Sequence, residues 1–213
     1  MTAPNSHLPS LTATLRSGEL SLTDYLQHLM GWFTQREPAL QAFIPEVERW
    51  ERLEREAQHL QARWPNPAER PPLFGVPIGV KDIFHVAGFV TGGGTRLPAG
   101  LFQGAEGPVV RALRQAGALV LGKTVTTEFA YFAPGPTRNP HHADHTPGGS
   151  SSGSAAAVAA GLTPLALGTQ TVGSIIRPAA YCGVVGVKPS YDLLSRAGVL
   201  PLAPSTDHVG WFT

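Results

Sequence analysis

One stretch of this 213-residue chain, Thr146 to Ser190, constrains its fold more than any other. Two glycine/serine turns, Gly148-Gly149-Ser150-Ser151 and Val172-Gly173-Ser174, are joined by an alanine-rich segment and an apolar run. Gly153-Ser154 opens the alanine-rich segment as a short helix and Gly161 closes it. Leu165 to Gly168 then reads as a strand. Glycine and serine at this density also suit a flexible linker, but the apolar sequence on both sides favours tight, packed turns.

The rest of the chain alternates in the same way. Ser21 is placed to cap a helix with Asp24 in its first turn, and Leu22, Tyr25, Leu26, Leu29 and Phe33 recur at helical spacing. Pro38 is expected to end that helix. A second helix is predicted from about Val47 to Trp64, with Glu48/Arg52 and Glu51/Arg55 paired four apart on a solvated face. Pro65 to Pro72 reads as a loop. Phe74 to Val80 and Ala118 to Leu121 read as strands, Pro108 to Ala116 as a helix capped by Gly117, and Val184, Val185 and Val187 as a further strand. Strands alternating with short helices predict an α/β fold with a largely parallel or mixed sheet. The length suits one domain over residues 1–213, helical from about 10 to 64 and α/β from about 73 to 213.

Composition removes several classes of function. Apolar residues make up 42% and net charge is only +1, so a packed protein is favoured over a disordered one. Near-neutral charge gives no electrostatic case for nucleic acid or an anionic membrane. No apolar run is long enough to span a bilayer, and MTAPNSHLPSL lacks the basic and apolar regions of a leader. The single cysteine, Cys182, cannot form an internal disulfide; it reads as a small buried hydrophobe in a reducing compartment, and the cytoplasm is expected.

Several motifs match a pattern without its context. Gly117 to Thr124 fits G-x-x-x-x-G-K-[ST], but its four middle residues are apolar and follow a helix, so Lys123 reads as the polar end of a strand. Gly149 to Gly153 fits G-x-S-x-G, with Asp192 and His208 downstream, yet a polar loop stands where the nucleophile elbow needs a strand. His141, His142, Asp144 and His145 are metal-ligand types, but prolines on both sides and the lack of a distant ligand favour a solvated loop. Gly92-Gly93-Gly94 reads as a flexible loop able to approach a ligand closely.

Two hydroxyls and one amine remain as a chemical parts list. Only Lys81, Lys123 and Lys188 stand beside thirteen arginines, so each lysine calls for a reason. Lys81 follows a wholly apolar run, and burial lowers a lysine's proton affinity because the ammonium loses its hydration. Ser174 follows Gly173 at the head of a segment able to turn into a helix, and the amides of Thr171, Val172, Gly173 and Ser174 are suited to forming an anion-binding nest. A lysine base acting on serine is an established route to acyl transfer. The alternative is a charged Lys81 satisfied by the neighbouring Asp82, and spacing does not choose between the two.

Gly75 to Asp82, Gly122-Lys123-Thr124 with Thr127 to Ala130, the Thr146–Ser190 block and Ser205 to Gly210 together resemble the amidase signature family. The likeness runs from about Leu73 to the last residue, and the glycine/serine block is its most specific part. It implies the amidase-signature fold, a twisted mixed sheet flanked by helices, and hydrolysis of a small-molecule amide through a Ser–cis-Ser–Lys triad without metal or organic cofactor. Carried over, Ser174 becomes the acyl-forming nucleophile. Ser150, on an unusual cis peptide bond, becomes the bridging serine, and Lys81 the base. Thr171, Val172, Gly173 and Ser174 would supply the oxyanion N–H groups.

Three departures mark this chain. Gln170-Thr171-Val172-Gly173-Ser174 replaces the common Asp-Thr-Gly-Gly-Ser, and the branched Val172 is expected to narrow the site. Ser152 stands where glycine is common, and Arg177 sits one place later than usual. Family catalytic domains are also longer, so the expectation is a domain incomplete at its C-terminal end. Three readings stay open: a small-molecule amidase, a relative of the glutamine-hydrolysing component of the tRNA amidotransferase, and a non-enzymatic remnant. No direct contact with nucleic acid or membrane is implied, and association into a homo-oligomer is left open.

Overall fold

Helices come first along the chain: α1 (Leu8–Ser17), α2 (Leu22–Leu40) and α3 (Arg49–Arg63). There follow β1 (Pro77–Lys81), α4 (Pro108–Gln115), β2 (Leu119–Thr124), α5 (Ser152–Ala159), β3 (Leu165–Gln170), α6 (Ile176–Cys182), β4 (Gly186–Val187) and β5 (His208–Phe212). This computed structural model describes Pro4 and residues 7–213. The stretch read above for a leader begins partly outside the described residues.

The strands form one mixed sheet in the order β2-β1-β3-β5-β4. β1 runs parallel to both β2 and β3, whereas β5 is antiparallel to β3 and β4. Every residue of β1, β2 and β3 is buried, which accounts for their near-continuous apolar sequence. α5 packs against the centre of the sheet with Ala155, Ala156 and Ala157 wholly buried. The approach is close: a Cβ on Gly153 would lie 2.2 Å from the Ala42 carbonyl oxygen. The Ser154 hydroxyl bonds to the Leu167 carbonyl at 2.8 Å, and the Trp32 indole N–H to the Ala160 carbonyl at 2.9 Å. The alanine-rich stretch is thus a small-residue helix seated on strands, not a linker.

Several boundaries differ from the sequence reading. Pro38 lies inside α2, which continues to Leu40 and ends at Gln41 in the left-handed region, its N–H on the Glu37 carbonyl at 2.8 Å. A proline so near the end forfeits one intrahelical bond and leaves the cap intact. β1 begins at Pro77, three residues late, because Phe74 to Val76 turn instead of extending. β2 and β3 run on to Thr124 and Gln170. Only Gly186 and Val187 of the last expected strand pair within the sheet; Val185 exchanges backbone bonds with Thr213. α1 falls at the start of the segment expected to be helical from about residue 10, whereas β5 lacks a counterpart in the sequence reading, its apolar run being broken by Gly210.

The charge pattern of α3 needs correcting too. Arg52 pairs with Glu46 at 2.6 Å and Glu56 at 3.2 Å, not with Glu48, and its side chain is mostly buried. The reason lies in β2, at the edge of the sheet. Between Ile78 and Gly79 the register with β1 slips, leaving Leu121 unmatched as a bulge. The Arg52 guanidinium donates to the carbonyls of Val120 (2.9 Å) and Leu121 (3.3 Å). Further along the same edge, Ile44 donates to the Lys123 carbonyl and Val125 to the Ala42 carbonyl, both at 2.8 Å. Arg52→Met is therefore expected to lower the unfolding free energy by about 2–4 kcal/mol, by stranding two carbonyls and leaving Glu46 with Arg49 alone. An unchanged denaturant midpoint would show that water satisfies the bulge.

Candidate active site

Because β1 and β3 are parallel, their C-terminal ends meet at one edge of the sheet, where ligands bind in α/β folds. Lys81 ends β1 and is fully buried. Its Nζ lies 2.8 Å from Ser150 Oγ and 2.8 Å from Thr169 Oγ1, at the end of β3. Burial pushes the Lys81 amine well below its ordinary proton affinity, and the negative charge of Asp207 partly opposes that. Asp82 is not its partner. It pairs instead with Lys123 at 2.8 Å, a buried ion pair whose lysine is also lowered by burial and partly restored by the carboxylate. Of the two buried lysines, one keeps a counter-ion and the other faces hydroxyls.

Ser150 reaches Lys81 from the turn that enters α5. The peptide bond between Gly149 and Ser150 is cis, and both flanking carbonyls are held. The Arg177 guanidinium donates to the Gly149 carbonyl through Nε (2.9 Å) and Nη2 (2.7 Å), and the Thr127 N–H donates to the Ser150 carbonyl at 3.0 Å. The neighbouring serines have other tasks. Ser151 Oγ bonds to the Thr169 carbonyl at 3.2 Å, and Ser154 Oγ to Thr124 Oγ1 at 2.7 Å. Within this serine cluster, only the Ser150 hydroxyl is directed at an amine.

The turn between β3 and α6 carries Ser174, which is 9% exposed. Gln170 Oε1 accepts the N–H groups of Ile175 (2.8 Å) and Ile176 (2.9 Å), capping α6 and fixing the exit of the turn. The Ser151 N–H meets the Ser174 carbonyl at 3.4 Å, which links the two turns. Among the described residues, nothing accepts from the amides of Thr171, Val172, Gly173 or Ser174, and the Ser174 hydroxyl has no hydrogen-bond partner. Four open donors and one free hydroxyl on a single turn can receive a carbonyl oxygen. The Val172 side chain is 91% exposed and does not narrow this turn.

A cavity of about 310 Å³ adjoins the site, lined by Thr169, Thr171 and Asp207 with Ile83, Leu200 and Val209. A larger concavity, about 630 Å³, lies around Trp32, Arg138 and His141 and includes none of the residues above. The smaller one is the candidate because it touches a hydrogen-bond partner of Lys81.

The other motifs resolve structurally. Gly122, Lys123 and Thr124 lie within β2, so no phosphate loop forms there. Asp192 pairs with Arg196 and His208 Nδ1 lies 2.7 Å from the Thr206 carbonyl, so neither joins Ser151 in a triad. His141 Nε2 lies 2.8 Å from the Cys182 carbonyl, while the rings of His142 and His145 stack. Among the described residues, no group of three or more His, Cys, Asp or Glu side chains could hold a metal, and no helix is long and apolar enough to cross a membrane. Gly92 and Gly93 donate to Asp82, so that loop approaches the protein itself. Burial pushes the Cys182 thiol up to about 12. The sequence reading missed Thr169 and Asp207, and it noted Gln170 and Arg177 only as departures from the usual pattern. Their polar types at strand and turn ends were the available signal.

With this geometry in place, the chain belongs to the amidase family: residues 35–213 match the model of that family. It is 44% identical over 200 residues to one of the subunits of the glutamyl-tRNA(Gln) amidotransferase of Symbiobacterium thermophilum, covering 91% of this chain and 41% of that protein. The peptide amidase from Stenotrophomonas maltophilia superimposes with a TM-score of 0.88 at 37% identity, over 98% of this chain and 45% of that one. A 6-aminohexanoate cyclic dimer hydrolase superimposes at 0.83 with 30% identity, over 97% of this chain and 43% of that one. The chain thus spans about two fifths of the length of the curated relatives it matches.

The burial of Lys81 has a consequence for stability. Unfolded, the amine holds its proton up to its ordinary value of 10.5; folded, it sheds the proton at lower pH. The unfolded chain therefore binds more protons in that window, and stability rises with pH across it. Lys123 contributes in the same direction. Lys81→Met is expected to make the rise shallower by up to about 1.4 kcal/mol per pH unit. Denaturant midpoints across neutral to alkaline pH measure this, and identical slopes would mean that Lys81 stays protonated.

Proposed function

We propose that the chain carries the catalytic core of an amidase, with Ser174 as nucleophile, Ser150 as proton relay and Lys81 as base. One observation carries this reading: a fully buried amine, its proton affinity depressed, in hydrogen-bond contact with Ser150. A neutral amine accepts the Ser150 proton while donating its own N–H to Thr169. Ser150 then takes the proton of Ser174 as Ser174 Oγ adds to the substrate carbonyl. The oxyanion draws on the amides of Thr171 to Ser174. As the C–N bond breaks, the proton returns through Ser150 to the departing nitrogen, releasing ammonia or an amine. Water enters by the same relay, its proton passing to Lys81 and back to Ser174 as the ester is cleaved.

The substrate is a small carboxylic amide, taken up beside a partly apolar pocket, and residues 1–213 act as one amidase-type unit in the cytoplasm. A second reading is supported by the 44% identity to an amidotransferase component. In it the same residues hydrolyse glutamine and pass ammonia to a partner, and glutaminase activity appearing only with that partner distinguishes it. Fluorophosphonate treatment of the folded chain followed by mass mapping is expected to find the adduct on Ser174. Ser174→Ala is expected to lose turnover of primary amides by at least roughly 10³-fold. Near-normal turnover by that variant, or no adduct on the folded chain, would overturn the assignment.

A further inference from the structure

The turn that offers the open amides is pinned at its exit by Gln170. What holds its entry is a carboxylate 36 residues downstream. Thr171 has left β3, and its hydroxyl donates to Asp207 Oδ1 at 2.5 Å. The other oxygen, Oδ2, accepts the N–H groups of Leu202 and Ala203, both at 2.9 Å. The β3–β5 ladder ends at the pair Gln170 and His208, so the Thr171–Asp207 contact adds one more rung made of side chains. Asp207 also lines the 310 Å³ pocket together with Thr169.

We propose that Asp207 is a positioning residue for this site: its carboxylate ties the oxyanion turn to the wall of the substrate pocket. The inference rests on the assignment of Lys81, Ser150 and Ser174 given above. Other charges near the lysine are engaged elsewhere. Asp82 is paired with Lys123, and the Arg177 guanidinium is spent on the Gly149 carbonyl. Around Asp207 itself the pocket presents Asp192, Arg196 and His208, of which Asp192 and Arg196 pair with each other. The carboxylate therefore does two separable things: it fixes a backbone amide, and it favours the protonated form of the base.

Two variants separate them. Thr171→Val removes the tether but keeps the Thr171 amide and the Asp207 charge. It is expected to lower kcat roughly 10- to 100-fold with little change in KM, because an oxyanion donor is displaced. The acid limb of the kcat/KM profile should stay where it is, and Thr171→Ser should restore kcat. Asp207→Asn is expected to lower kcat comparably and also to move the acid limb to lower pH, since an ammonium that loses its opposing charge deprotonates more readily. Wild-type chain that takes up fluorophosphonate at Ser174 while both variants keep kcat within about twofold, with an unmoved acid limb for Asp207→Asn, overturns the role of Asp207 alone. Wild-type chain that is folded but neither labelled nor active overturns the triad and this inference with it.

Discussion

Removal of water from one ammonium group is the constraint on which the site depends. A lysine in contact with solvent near neutral pH is a cation and cannot accept a proton. At the end of β1, every route to water is closed by the neighbouring strands and by the turn entering α5. Among the described residues its hydrogen-bond partners are two hydroxyls, groups that can donate to a neutral amine as well as accept from it. The fold contains a control for this statement. Lys123 is almost as deeply buried, one strand away, and is given a carboxylate. The same residue type in the same sheet thus meets a carboxylate in one place and two hydroxyls in the other.

The glycine/serine block does the structural half of this work. Alanines and Gly153 let α5 sit close on the strands, and the hydroxyls of Ser151 and Ser154 satisfy polar groups at the ends of β2 and β3. With those carbonyls occupied, Ser150 is left to turn toward Lys81. Arg177 and Thr127 hold the carbonyls on either side of it. The backbone on both flanks of this fully buried hydroxyl is therefore held by hydrogen bonds.

Much of this was legible in the sequence because it is local. Periodicity placed most elements, and the apolar run before Lys81 foretold its burial. The two turns carrying Ser150 and Ser174 stand out by composition alone. What stayed hidden depends on pairings across long separations. Nothing near Lys81 points to Thr169, 88 positions away, and nothing near Thr171 points to Asp207. Asp82 was the nearest carboxylate along the chain, yet it lies in the turn just past β1 and its carboxylate meets Lys123 instead. Arg52 was misread for a related reason: helical spacing supplied plausible partners, while the unmatched carbonyl of a bulge in β2 supplied better ones.

That bulge bears on how molecules of this chain can meet. An uncovered outer strand presents a row of amide and carbonyl groups that a second chain can adopt as its own rung, the usual path to domain exchange and fibrils. Here the outer rim at β2 is closed by a guanidinium on one stretch and by the backbone of residues 42–44 on the next. Strand addition along this rim is thereby blocked, and any association on that side must proceed through side-chain surfaces.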